Sequence, residues 1–227
     1  MQTNQNKTIL RLTESGILLA IGILLDTFLK FDATWLYGGS ITACSMLPLV
    51  IIAYKYGVAW GSLSGVVHGL ITMMISGGRA GGLAAMIEEN GGLVTFIWVL
   101  LLDYILAFAA VGLAGFAPKF TNSVPSALML GAVFGLVGRF IFHVLSGFLL
   151  FGGYAEWFFG EAVTWGGWFL ENLHGQLLYF VYSVIYNGLY MVPEIIITAA
   201  GGLLVGNALK PQLLKNRTNR WAKKETK

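Results

Sequence analysis

The sequence predicts an all-α integral membrane protein with six transmembrane helices and both termini cytoplasmic. Of its 227 residues 56% are hydrophobic and only 11% are charged, whereas soluble domains carry about 25% charged residues. Apolar runs of bilayer-crossing length recur, and none alternates in polarity as lipid-facing strands would. Eleven of the 14 Lys and Arg residues fall on one side of the resulting topology, which the positive-inside rule assigns to the cytoplasm.

The spans are expected at about 12–29, 41–54, 58–75, 94–116, 127–151 and 177–204, in one membrane domain with a basic cytoplasmic tail over 210–227. Met1 to Lys7 carries no small-residue cleavage pattern, so the segment from Ile17 onward is expected to remain as the first span. In that span Gly16 and Ala20 form a small-xxx-small pair, with Ser15 and Gly22 nearby. Such pairs serve either internal packing or a partner helix. The second run is short, and Pro48 within it predicts a bent or partly unwound segment.

Lys7, Arg11, Lys55, Lys119 and the basic residues from Lys210 to Lys227 share the cytoplasmic side, leaving Lys30, Arg79 and Arg139. The connections 30–40, 76–93 and 152–176 then face outward, and they hold Trp35, Tyr37, Glu88, Glu89, Trp157, Trp165 and Trp168. The single cysteine, Cys44, excludes an intrachain disulfide. A net charge of +3 with its basic residues mostly near the chain ends suits a lipid bilayer and gives no reason to expect nucleic acid.

Polar groups inside the spans are the candidates for function. Asp103 lies inside the apolar run Val94 to Phe116, where an acid costs about 2.5 kcal/mol or more on insertion scales. It reads as a counter-ion for a cationic ligand or a proton carrier; the plainer reading is an ion pair with Arg139 or Lys30. Arg139 and His143 stand four residues apart on one helix face. A neutral imidazole can stack on a heteroaromatic ligand or simply be a satisfied packing residue. Arg139, nearer the cytoplasmic end, reads as structural or snorkelling. Tyr179, Tyr182, Tyr186 and Tyr190 form a stripe that is more often packing than a ligand box. Asn187 adds an amide beside it, and Glu194 is costly there unless it meets a cavity or Arg139.

Catalytic and metal motifs are not found. There is no HExxH, no GxxxxGK[ST], and no second metal ligand at helical spacing from His68 or His143. Gly61-Ser62-Leu63-Ser64-Gly65 has the glycines of GxSxG, but Leu63 occupies the nucleophile position. The reading is therefore a non-enzyme with no metal and no cofactor.

One combination of segments is specific. It runs Gly38-Gly39-Ser40, then Leu102-Asp103-Tyr104-Ile105-Leu106-Ala107-Phe108, then Gly138-Arg139-Phe140-Ile141-Phe142-His143 with Ser146-Gly147. Phe151-Gly152-Gly153-Tyr154-Ala155, Tyr182-Ser183-Val184-Ile185-Tyr186-Asn187-Gly188 and Tyr190-Met191-Val192-Pro193-Glu194 follow. In that order they resemble the thiamin-specific S component of energy-coupling factor transporters, over nearly the whole chain.

The resemblance implies a six-helix protein of the bacterial plasma membrane that binds thiamin, or a close analogue, from outside. Such a protein works with a shared energising module of one transmembrane subunit and two cytoplasmic ATPases. It implies that Asp103 faces the cationic ligand, that His143 lies beside the thiazolium, and that Phe151 stacks on the pyrimidine. Tyr182 and Asn187 match polar contacts to the aminopyrimidine, Tyr104 is the neighbouring contact, and Trp35 is the aromatic of the first external loop. Gly16 and Ala20 match the surface that docks the module. A permanent cation on a flat heteroaromatic wants one desolvated carboxylate, aromatic faces and a few amides or hydroxyls.

Stretches 76–93 and 155–176 are longer than the family pattern, and they are expected to form an extra helix or a lid, or to remodel the pocket for a related pyrimidine or thiazole. Two other readings are set beside this one. One is a self-sufficient proton-coupled importer using Asp103 and Glu194. The other is an intramembrane enzyme pairing His143 with Glu194 or Asp103.

Overall fold

The computed structural model describes residues 2–31, 39–79, 81–89, 91–215 and 217–219. Among them, five helices are long and apolar enough to cross a membrane and a sixth apolar helix is shorter. The order is α1 (Gln2–Phe28), β1 (Lys30–Phe31), β2 (Ile41–Thr42), α2 (Leu47–Tyr56), α3 (Val58–Arg79), α4 (Leu83–Glu89) and α5 (Leu93–Lys119). Then come α6 (Val124–Leu150), α7 (Gly167–Asn172), α8 (Gly175–Ala208) and α9 (Lys210–Leu214). Large apolar side chains such as Met74, Ile141, Ile196 and Leu204 are exposed, while Ser45, His68, Ser183 and Glu194 are buried. That inverts a soluble protein and is what lipid as solvent requires.

The second run is partly unwound, one of the two outcomes expected of it. Only Leu47–Tyr56 is helical, and Pro48 sits in its first turn rather than bending it, where a missing N–H costs nothing. Ten residues rise about 15 Å, half the hydrocarbon core. The helix is preceded by 41–46, which begins as β2, paired antiparallel to β1 with Lys30 opposite Thr42, and turns at Cys44 with φ +60°. Irregular backbone at membrane depth is tolerated only inside protein. Thr42, Ser45 and Met46 are accordingly buried, and so is every residue of α2.

The core forms around α2, against Phe108, Val111, Ala114 and Ala117 of α5 and Ala127, Leu128, Ala132 and Leu136 of α6. Its end at the C-terminus of α2 is tied down on two sides. Glu14 of α1 accepts hydrogen bonds from the Lys55 ammonium and the Tyr56 hydroxyl. The amides of Thr218 and Asn219 both donate to the Lys55 carbonyl, at 2.8 and 2.9 Å. Asn219 Nδ2 donates to the carbonyls of Gly115 at 2.8 Å and Tyr54 at 3.1 Å. The start of the basic tail thus satisfies carbonyls that a helix end leaves open.

Helix α5 is irregular where it matters. Leu100–Leu106 is a π-helical turn, with the Ala107 amide donating to the Leu102 carbonyl, and Val111–Lys119 tightens to 3-10 geometry. Helix α3 presses against it through Gly61, Gly65 and Gly69, one stripe at a spacing of four. A Cβ on Gly69 would lie 2.1 Å from the Tyr104 carbonyl oxygen, and one on Gly65 the same distance from that of Phe108. Such stripes let helix backbones touch in lipid.

Gly69→Ala is therefore expected to lower thermal stability in detergent by roughly 1–3 kcal/mol and to weaken ligand binding, because the displaced carbonyl adjoins Asp103. Unchanged melting would show that the α3–α5 contact is looser than this.

The long connection after α6 is folded. Short turns at Gly152–Tyr154, Ala155–Trp157 and Phe158–Ala162 lead to α7. Phe158 packs edge-on to Tyr182 of α8 at 5.4 Å, and Phe159 stacks on Phe169 at 4.6 Å. Between α3 and α5 the other connection holds the short α4.

Candidate functional site

The π-helical turn of α5 carries Asp103, and extra width in a helix is a recurrent way of aiming a side chain into a site. Asp103 Oδ1 accepts from His143 Nδ1 at 2.6 Å, and its Oδ2 accepts from Ser146 Oγ at 2.5 Å. His143 and Ser146 share one face of α6 at a spacing of three. The Asp103 side chain stays 20% exposed, so the carboxylate is held in place yet still reachable.

Helix α8 completes the arrangement. Asn187 Nδ2 donates to Ser183 O at 2.9 Å and to the His143 carbonyl at 3.3 Å, and the Tyr190 hydroxyl donates to Asn187 Oδ1. Ser183 Oγ donates to Val144 O at 2.8 Å. Helices α6 and α8 approach closely enough for this because of Gly147, where a Cβ would lie 2.3 Å from Ser183 Oγ.

These groups open into a cavity of about 930 Å³. Asp103, Tyr104, His143, Phe151, Tyr182 and Asn187 all line it. Trp35 lies outside the described residues. Gly16 and Ala20 are on an exposed face of α1 and do not line the cavity. Its wall is aromatic on the α8 side, where Tyr182 and Tyr186 lie 5.7 Å apart and Tyr190 packs edge-on to His143 at 6.3 Å. The connection after α6 adds Tyr154 and Trp157.

Sequence reasoning left several lining residues out of the site. Of the two readings of Arg139, structural or snorkelling, the structure takes the structural one. Its guanidinium lies 4.5 Å from the Phe108 ring centroid and 3.8 Å from Glu194 Oε1. Glu194 in turn accepts from the Thr42 hydroxyl at 2.8 Å and the Thr42 amide at 3.2 Å. Arg139 thus pairs with Glu194 and leaves Asp103 to His143 and Ser146. Asp26, Lys30 and Met86 also line the cavity. Asp26 had a signal in the sequence, an acid at the end of an apolar span, of the same kind that singled out Asp103. Among the described residues no three His, Cys, Asp or Glu side chains gather as a metal cage.

Comparison with known proteins supplies the context for this geometry. A family described as "Thiamine transporter protein (Thia_YuaJ)" matches residues 12–163. The chain is 32% identical over 209 residues to "Thiamine transporter ThiT" of Bacillus subtilis (strain 168), covering 86% of this chain and 90% of that protein. It also superposes on a solved structure of ThiT from Listeria monocytogenes with a TM-score of 0.61 at 21% identity, over 91% of this chain and 98% of that one. At that identity the superposition speaks for the fold.

Proposed function

This chain belongs to the thiamine transporter protein family, and from that premise we propose that it captures thiamin from the external side of the membrane in the cavity around Asp103. It is a multi-pass membrane protein, and in this reading it crosses the bilayer six times with both termini cytoplasmic. Residues 41–46 and α2 together make the second crossing. It has no catalytic activity of its own. It hands its ligand on through an energy-coupling factor module of one transmembrane subunit and two cytoplasmic ATPases, which docks on Gly16 and Ala20.

The observation that carries the reading is the Asp103 carboxylate, fixed by His143 and Ser146 and facing a cavity walled by aromatic rings. A thiazolium is a permanent cation. It gains from one poorly solvated carboxylate, where attraction is less screened than in water, and from ring faces that tolerate positive charge. The aminopyrimidine wants stacking and polar partners, for which Phe151, Tyr182, Asn187 and Tyr104 all line the cavity. The cavity falls within the range of roughly 300–1,000 Å³ usual for small-molecule sites.

Tryptophan fluorescence of the purified protein, titrated with thiamin and with its separate pyrimidine and thiazolium fragments, tests the proposal. Trp157 lines the cavity and reports occupancy. Saturable quenching by thiamin without ATP is expected, with each fragment weaker by at least a hundredfold because it forgoes half the contacts. A fragment that binds as tightly as thiamin, or thiamin that fails to saturate, would defeat the assignment.

A further inference from the structure

The cavity continues past His143 into a second compartment of about 210 Å³, lined by Thr42, Arg139, Glu194 and Met191 among others. The two volumes share Asp26, Ser40, Arg139, His143, Tyr186 and Tyr190, so one molecule can reach both. The charges in the second compartment are not equally accessible. Glu194 is only 3% exposed while Arg139 is 14% exposed, and Thr42 already donates twice to the Glu194 carboxylate. The closest Arg139–Glu194 approach, 3.8 Å, is too long for a hydrogen bond, and it is the Arg139 side chain that keeps some surface open to the compartment. Its guanidinium is held in place by the Phe108 ring at 4.5 Å. The compartment therefore shows the cavity a positioned guanidinium whose counter-ion is already engaged by Thr42.

One turn along the same face of α6, His143 holds Asp103. Side chains four apart on a helix sit about 5–6 Å from one another. The cavity thus offers a carboxylate and, one helical turn away, a guanidinium. The complement is a cation that bears a hydrogen-bond acceptor on a short arm.

Resting on the thiamin reading above, we propose that Arg139 is a specificity-determining residue: it donates a hydrogen bond to the oxygen that ends the side chain of the thiazolium ring. The shared chemistry is an oxygen acceptor, present as the alcohol in thiamin and as the ester in its monophosphate. Arg139 selects ligands that carry it over those that end in hydrocarbon, because a buried guanidinium donor left unmet is costly.

The test compares three ligands, thiamin, its analogue with ethyl in place of hydroxyethyl, and thiamin monophosphate, on wild type and on Arg139→Met. On wild type the ethyl analogue should bind about tenfold or more weakly than thiamin, the usual scale for one hydrogen bond to a charged group. On Arg139→Met the gap between thiamin and the analogue should close, and the monophosphate should lose at least as much affinity as thiamin. Because Arg139→Met strands Glu194, the double variant Arg139→Met, Glu194→Gln is measured alongside, with thermal unfolding of each, and should show the same closed gap. An ethyl analogue equal to thiamin on wild type, a gap that persists in both variants, or a monophosphate indifferent to Arg139→Met would overturn the proposal. Failure of wild type to bind thiamin would instead overturn the reading beneath it.

Discussion

Asp103→Asn is expected to weaken thiamin binding by a hundredfold or more while leaving affinity for the neutral aminopyrimidine fragment nearly unchanged. The substitution keeps the shape of the side chain and removes only its charge. Asn can still accept from His143 Nδ1 through Oδ1, and its amide can donate to Ser146 Oγ, so the clamp that now fixes the carboxylate survives. What is lost is attraction to a fixed cation in a poorly solvated site. Breaking one partner of such a pair costs about 3–5 kcal/mol, which is roughly two to four decades in Kd. Fluorescence or calorimetric titration of both ligands on both proteins decides the matter. Equal loss of thiamin and fragment would make Asp103 a structural residue, and wild-type affinity for thiamin would remove it from the site. Asp103→Glu keeps the charge but lengthens the arm past the Ser146 contact. It should fall between the two.

The charged groups of the site were legible because lipid leaves them few places to go. An acid at mid-span must turn inward, and Asp103 does; of the ion-pair partners read for it, Arg139 pairs with Glu194 instead, and His143 and Ser146 hold the carboxylate. Arg139 reads from the sequence as structural or snorkelling, with Glu194 as a group it could meet, and the structure takes the first: Glu194 sits on another helix and is itself held by Thr42. Pairings of that kind depend on how helices are rotated against one another, which periodicity alone does not fix.

Backbone detail was harder still. Hydropathy reports depth in the membrane, so 41–54 reads as a span. Whether its amides bond within a helix depends on the turn at Cys44 and on the burial of Thr42 and Ser45, and neither leaves a trace in polarity. The π-helical turn at Leu100–Leu106 has no sequence signature at all. The α3 stripe did have one. Gly61, Gly65 and Gly69 stand at the same spacing as Gly16 and Ala20, and their role in packing was masked by the resemblance of the first two to a nucleophile motif.

Substituting leucine at both Gly16 and Ala20 should abolish thiamin uptake into cells or proteoliposomes containing the energising module, and leave thiamin affinity as it was. The small residues of α1 divide by face. Ser15 and Gly22, seven apart, point inward: both are buried, and a Cβ on Gly22 would lie 3.1 Å from the Ser45 carbonyl and 3.2 Å from the His68 ring. Gly16 and Ala20, four apart, are exposed, and a Cβ on Gly16 meets nothing within 4 Å. The fold of this chain therefore makes no use of their smallness. Glycine inside a helix costs up to about 1 kcal/mol against leucine, so the double substitution should if anything steady α1. A flat patch between the exposed side chains of Leu12, Ile17 and Leu24 lets another helix approach closely in lipid, where association depends on such contact. Leucine at both sites would hold that helix off. Gly22→Leu serves as the contrast, since it should destabilise the protein itself and lower binding and uptake together. Wild-type uptake by the Gly16→Leu, Ala20→Leu protein would move the docking surface elsewhere. Loss of thiamin binding in that protein would tie this face of α1 to the fold after all.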